Sequence, residues 1–354
     1  MDHFGDEIAE QPEALRRAAA GLRDHADGLR RVREWVTGDR RPLVLTGMGS
    51  SFDVLLGLDS RLRRAGVPSV AVHTAELLNS TRLAPGSVVL AVSQSGLSAE
   101  LVRLLERLGE VDQVSVVGIT KDPGSPTARR ADVVLPMSVG PEHGPSTKSV
   151  LASIVVCHAI EQVLVDDAPL DQVLDRVEAG VTRLAARVDE ALGDRERTTT
   201  LLRDWVGEVP CFLLARGQGI TTAEVAALVM KEAGMQVATA MDAAEFRHGP
   251  LELAGPGLAV AVISTEPSVA GLDEALLHDL AGHGTRLVQI STLGEAAPDR
   301  TPPPWPLVHM PGDGSLLDAA LALVPMQLLV WALAHERSSA PGEFIKGAKT
   351  TTKE

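Results

Sequence analysis

The chain has 354 residues, enough for two domains with cores of their own. Hydrophobic residues at 45% and charged residues at 23% describe a globular protein. A net charge of −14 without a basic block speaks against nucleic acid or an anionic membrane as partner, so an anionic ligand would have to be held by local devices.

Neither a signal peptide nor an apolar span of about eighteen residues is read in the sequence, so a cytoplasmic location is expected. Cys157 and Cys211 lie in apolar segments and read as buried small residues, not as a disulfide or metal ligands. Walker A, Cys-x-x-Cys and His-Glu-x-x-His patterns are missing, and no metal or cofactor is expected.

Residues 7–38 carry Leu15, Leu22, Leu29, Val32 and Val36 at helical spacing among arginines and acids, a helical lead-in ended by Gly38-Asp39. From Pro42 the pattern changes. Residues 43–46 read as a short strand, Gly47-Met48-Gly49-Ser50-Ser51 as a glycine-serine turn, and residues 52–65 as a helix. Strand candidates follow at 69–73, 87–92, 113–119 and 132–137, with helical stretches between them. This alternation predicts an α/β domain whose parallel sheet is covered on both faces.

The stretch Ser93-Gln94-Ser95-Gly96-Leu97-Ser98 lies between an apolar strand and the helical pattern of Leu101, Val102 and Leu105. Free amides at a helix start attract an anion, so a hydroxyl-rich turn there makes a cradle for phosphate. An ordinary cap by Ser98, with Gly96 turning the chain, explains the same residues equally well.

The order then returns some 170 residues later. Gly217 and Gly219 follow an apolar run as Gly47 and Gly49 do, residues 258–264 repeat 88–93, residues 286–290 repeat 114–119, and residues 306–311 echo 132–136. Both halves close with an apolar helix, at 150–165 and 316–333. We read an internal duplication: lead-in 1–39, first domain 40–168, helical linker 169–202, second domain 203–335 and tail 336–354. In the second half, Ser264-Thr265-Glu266 stands where the first has Ser93-Gln94-Ser95. A carboxylate there would repel phosphate, which leaves phosphate binding to the first domain.

Lys231 and Glu232 fall on the helix after Gly217-Gln218-Gly219, and His248 precedes the helix-breaking Gly249-Pro250. Taken singly they read as a solvated charge pair and a surface histidine. Taken together, the Gly-Met-Gly-Ser-Ser turn, the Ser-Gln-Ser-Gly-x-Ser turn, the Ser146-Thr147-Lys148 loop, the Lys-Glu helix, the Arg247-His248-Gly249-Pro250 loop and the basic tail resemble the sugar isomerase (SIS) family. The arrangement of residues 40–354 most resembles the tandem isomerase half of its glucosamine-6-phosphate synthase branch, without the glutaminase domain and its N-terminal cysteine.

The resemblance implies two tandem domains, each a parallel sheet flanked by helices, and a sugar phosphate as ligand. It places phosphate on Ser51, Ser93, Gln94, Ser95 and Ser98, and the sugar near Gly49, Ser50, Ser146 and Lys148. Glu232 becomes the base that moves a proton between C1 and C2, and His248 the group assisting ring opening. In the family this histidine can come from a neighbouring subunit, so a homodimer is implied. The tail lysine able to form an imine with the open-chain sugar falls on Lys346, counted from Pro341, or on Lys349, counted back from the threonines; Lys346 is favoured here. The tail is expected to be mobile and to close on the ligand.

Three departures separate the chain from the synthase pattern. Val229 replaces a lysine, Leu97 a glutamate in the phosphate turn, and Gly342 an arginine of the tail. The expected activity is therefore isomerisation of an aldose or ketose 6-phosphate, an amino sugar in the first instance, with ammonia addition or removal. The alternatives are a fructosamine-phosphate deglycase and a sugar-phosphate-binding regulatory module.

Overall fold

Short runs of Val, Leu, Ile and Ala without a polar alternation become strands buried on both faces. In the computed structural model, which describes residues 2–80, 82–108, 114–294 and 302–352, they form two five-stranded parallel sheets. The first contains β1 (Leu43–Thr46), β2 (Ser69–Ala71), β3 (Val88–Val92), β4 (Ser115–Thr120) and β5 (Val133–Pro136) in the order β2-β1-β3-β4-β5. The second contains β6 (Cys211–Ala215), β7 (Ala238–Asp242), β8 (Ala259–Ser264), β9 (Arg286–Ser291) and β10 (Leu307–His309), ordered β7-β6-β8-β9-β10. The two orders are the same, as a duplication requires. The strand expected at 113–119 begins with Gln113, which lies outside the described residues, as do Lys353 and Glu354 of the tail.

The chain divides into two compact units. One comprises residues 10–142, 148–185 and 346–354; the other comprises residues 1–9, 143–147 and 186–345. In the first, Val44, Val89, Ala91, Leu101, Leu104 and Leu105 form a core on one side of the sheet. The lead-in breaks into helices His3–Ala9, Gln11–Arg23 and Ala26–Arg33 and a π-helical turn, Glu34–Gly38, and Gln11–Arg23 packs on the helix Lys148–Val165. In the second unit, Phe246 is fully buried with Val260, Val262, Leu276 and Leu280. The linker forms helices Leu170–Gly193 and Arg195–Val206.

One expectation is corrected. Helices Lys148–Val165 and Leu317–Arg337 are both long and apolar enough to cross a membrane, with 89% and 94% of their apolar windows buried inside the protein. Apolar on every side, they are the central helices of their units. Cys157 and Cys211 are buried free thiols, and burial pushes each up to about 12.

Candidate active site

In the first sheet the strand order reverses between β1 and β3, and connections leaving at such a point open a crevice beyond the carboxyl ends of the strands. β1 runs into Gly47–Ser51 and β3 into Ser93–Ser98, so the two serine turns flank this crevice. The first turn is tight: a Cβ on Gly47 would lie 2.6 Å from the Ser51 carbonyl oxygen. Gly49 takes a φ of +54° to start the helix Ser50–Arg64, which leaves Ser50 and Ser51 half-buried in its first turn. His73 stacks on Phe52 beside them, with ring centroids 3.7 Å apart.

The second turn is cross-braced. Ser93 Oγ accepts from the Gly96 amide at 3.1 Å and Ser95 Oγ from the Leu97 amide at 3.2 Å, while Ser98 Oγ donates to Glu100 at 3.0 Å. The Gln94 carbonyl accepts from the Lys121 amide at 3.1 Å and from Thr120 Oγ1 at 3.3 Å, which fixes that residue's backbone. Its side-chain Nε2 is buried without a hydrogen-bond partner. Leaving a buried amide donor unpaired costs about 1–3 kcal/mol, a cost that an acceptor carried by a ligand would remove.

The loop before the helix Lys148–Val165 contains a residue the sequence reading passed over. Glu142, fully buried, accepts from the Ser149 amide at 2.9 Å, from Ser149 Oγ at 2.5 Å and from Lys349 Nζ at 2.8 Å. Burial alone would raise its carboxyl, but the Lys349 ammonium and these hydrogen bonds outweigh burial and hold it below the usual carboxylate range. Lys346 is exposed. The buried ammonium of Lys148 pairs with Glu10 and is thus engaged within the protein. Ser146 is half-buried, and its carbonyl accepts from Gln327 Nε2 at 3.4 Å.

In the second unit, Glu232 is the last residue of the helix Gly219–Glu232 and is half-buried. The helix leaves the carboxyl end of β6, and fourteen residues carry it about 20 Å, to the edge where Cys211 and Ala238 pair. Glu232 therefore does not belong to the crevice of its own sheet. A carboxylate at the negative end of a helix dipole is a placement that helix stability does not favour. His248 is exposed and caps the turn Glu245–Arg247, with its amide on the Glu245 carbonyl at 2.9 Å. Phe246, packed edge-on against Phe212, anchors that turn in the core. Among the described residues no three His, Cys, Asp or Glu side chains are grouped to hold a metal ion.

Residues 39–161 match the model of the SIS domain. Over 98% of its length the chain is 32% identical to glutamine–fructose-6-phosphate aminotransferase (isomerizing) of Aeropyrum pernix and 27% identical to that of Streptomyces coelicolor. Residues 39–161 thus belong to the SIS family, within a chain that is similar along nearly its whole length to these aminotransferases. It spans 57% and 58% of the length of those two relatives. Solved structures share the fold of this chain. The C-terminal domain of glucosamine-fructose-6-phosphate aminotransferase from Francisella tularensis matches with a TM-score of 0.85 at 21% identity, covering 96% of this chain and 97% of that one. Tagatose-6-phosphate ketose/aldose isomerase from Escherichia coli matches with a TM-score of 0.77 at 20% identity, covering 96% and 94%.

The second unit has filled its own crevice. The corresponding turns are Gly217-Gln218-Gly219 and Ser264-Thr265-Glu266, and the buried Glu266 carboxylate accepts from the Gln218 amide at 3.3 Å. Asp318 does the same at the start of the helix Leu317–Arg337, accepting from the Asp313 and Gly314 amides at 3.1 Å each and from Thr292 Oγ1 at 3.1 Å. The amides that would face an anion thus already face carboxylates of the chain.

Burial pushes Asp318 up from 3.8 to about 6, against the pull of the Asp313 and Gly314 amides. A carboxyl raised on folding stabilises the protein below its unfolded value, and this contribution is lost as pH rises through the folded one. The cost of holding the charge above pH 6 is on the order of 3 kcal/mol. We expect Asp318→Asn to gain stability relative to the native chain by that order between roughly pH 4 and pH 7.5, read as the difference between their urea unfolding free energies. A difference that does not change with pH would remove Asp318 as its source.

Proposed function

We propose that this chain is a phosphosugar isomerase acting on an aldose or ketose 6-phosphate, with an amino sugar phosphate as the preferred substrate and ammonia added or removed. The observation that carries the reading is the unpaired Gln94 donor among the hydroxyls of Ser93, Ser95 and Ser98 at the switch point of the first sheet. A phosphate ester offers the acceptor that this donor lacks. In this proposal Ser51 and the second serine turn hold phosphate, and Gly49, Ser50 and Ser146 bound the sugar.

His248 returns a proton to the ring oxygen as the ring opens. Glu232 takes the proton from C2 of the open-chain aldose and delivers it to C1, through an enediol, so one carboxylate serves both carbons. The pairing of Lys349 with Glu142, and the exposure of Lys346, support Lys349 as the tail amine. By its likeness to the family the chain acts as a homodimer.

Incubation with a panel of hexose and hexosamine 6-phosphates, with and without ammonium, followed by NMR, tests the reading. Interconversion of an aldose and ketose phosphate is the expected result, coupled to ammonium for the amino sugars. No turnover of any member would overturn it.

One observation favours deglycation as the second reading. Val229, where the synthase pattern has a lysine, is 1% exposed, and Leu97 presents 44% of its surface at the phosphate turn. Val229 lies in the core, but an exposed apolar Leu97 in place of a charge suits a substrate whose leaving amine carries carbon. Release of a larger amine from a fructosamine 6-phosphate, with no reaction of ammonium, would decide for it.

A further inference from the structure

We infer that Glu142 is the positioning residue of the tail: it stations Lys349 at one place and sets the register in which the last residues lie on the phosphate turn. The assignment of chemistry to Lys349 rests on the function proposed above; the stationing rests on geometry alone.

Two contacts fix the tail within its unit. The Lys349 ammonium donates to Glu142 Oε2 at 2.8 Å, and two residues later the Thr351 carbonyl accepts from the Ala99 amide at 3.0 Å. Ala99 opens the helix that follows Ser98, so the second contact ties the tail to the end of the serine turn. Glu142 is held from its other side by the amide and hydroxyl of Ser149, in the first turn of the helix Lys148–Val165. Its carboxylate cannot swing toward solvent.

A buried ion pair of this kind is a poor source of stability, since desolvating both charges consumes most of the attraction. What it supplies is a unique position. An apolar pair would let the tail slide, whereas a carboxylate with fixed orientation accepts one cation at one place. Lys346, three residues earlier, is exposed and meets no such constraint.

The test compares the two lysines in the full chain by trace labelling with acetic anhydride and peptide mass analysis, the exposed Lys346 serving as internal reference. In the native protein Lys349 is expected to acetylate several-fold more slowly than Lys346, because its amine is half-buried and held on Glu142 while that of Lys346 is exposed. Glu142→Gln, which keeps the shape and an acceptor for Ser149, should bring Lys349 to the Lys346 rate. Equal labelling in the native chain, or an unchanged ratio in the variant, would overturn the assignment.

Should Glu142→Gln fail to fold, Lys349→Met leaves the carboxylate in place and removes only its cation. Hydrogen exchange of the Ala99 amide should then rise, and unchanged protection there counts against the tail register. Turnover separates this inference from the proposed function. Glu142→Gln should lower kcat for the sugar phosphate while KM holds, because the serine turns are untouched. The labelling result stands whether or not the sugar panel reacts.

Discussion

Glu232→Gln is expected to lower turnover of the sugar phosphate by about three orders of magnitude, within the span that a positioned acid-base group contributes. Affinity for the phosphate ester should remain within a few-fold of native. The substitution is conservative in volume, and Glu232 sits half-buried at the end of its helix, outside the fully buried core. Removing its charge also relieves an unfavourable interaction with the helix dipole, so stability should hold or rise slightly. The effect is therefore on proton transfer and not on folding. Steady-state kinetics together with calorimetric titration of a non-reacting hexitol 6-phosphate would check both halves. Turnover within tenfold of native, at intact binding, would remove Glu232 as the base.

Much of the fold was legible because its signals are local. Apolar runs bounded by glycine and serine marked the strands, and the return of one pattern after some 170 residues announced the second sheet, whose strand order is that of the first. The serine turns were legible for the same reason: strand, turn and helix start are adjacent in sequence.

What could not be read are the partners. Glu10 meets Lys148 from 138 residues away, and Glu142 meets Lys349 from 207. Neither acid carries a spacing that advertises its partner, although a lone glutamate after Gly140-Pro141, just before the Ser-Thr-Lys loop, was a signal that could have been followed. Glu266 was read as repelling phosphate; its carboxylate in fact occupies the amide that a ligand would need. The two membrane-length helices were passed over as apolar spans, and burial within the units explains why they are so apolar.

The second large effect is expected at Gly96, where two independent constraints coincide. Its φ is +67°, a region that costs a residue with a Cβ roughly 1–2 kcal/mol. A Cβ there would also lie 2.1 Å from Ser125 Oγ and 2.3 Å from Ser125 Cβ. Ser125 cannot simply yield, because its hydroxyl accepts from the Ala128 amide at 3.2 Å and caps the helix Pro126–Arg130. Losing such a cap costs about 1 kcal/mol more. The Gly96 carbonyl meanwhile accepts from Thr127 Oγ1 at 3.0 Å, so displacing the turn strains the same helix again. Gly96→Ala should thus destabilise the protein by about 2–3 kcal/mol, the sum of strain and lost cap. It should also weaken phosphate-ester binding at least tenfold, about 1.4 kcal/mol, because Gln94, Ser95 and Ser98 move with it. Gly66 supplies the control: its φ is +80° but a Cβ there meets nothing within 4 Å, so Gly66→Ala should show the strain alone and leave ligand binding intact. Urea unfolding and titration of the hexitol phosphate separate the two costs. If Gly96→Ala binds the ester as tightly as Gly66→Ala does, the serine turn is not the phosphate holder.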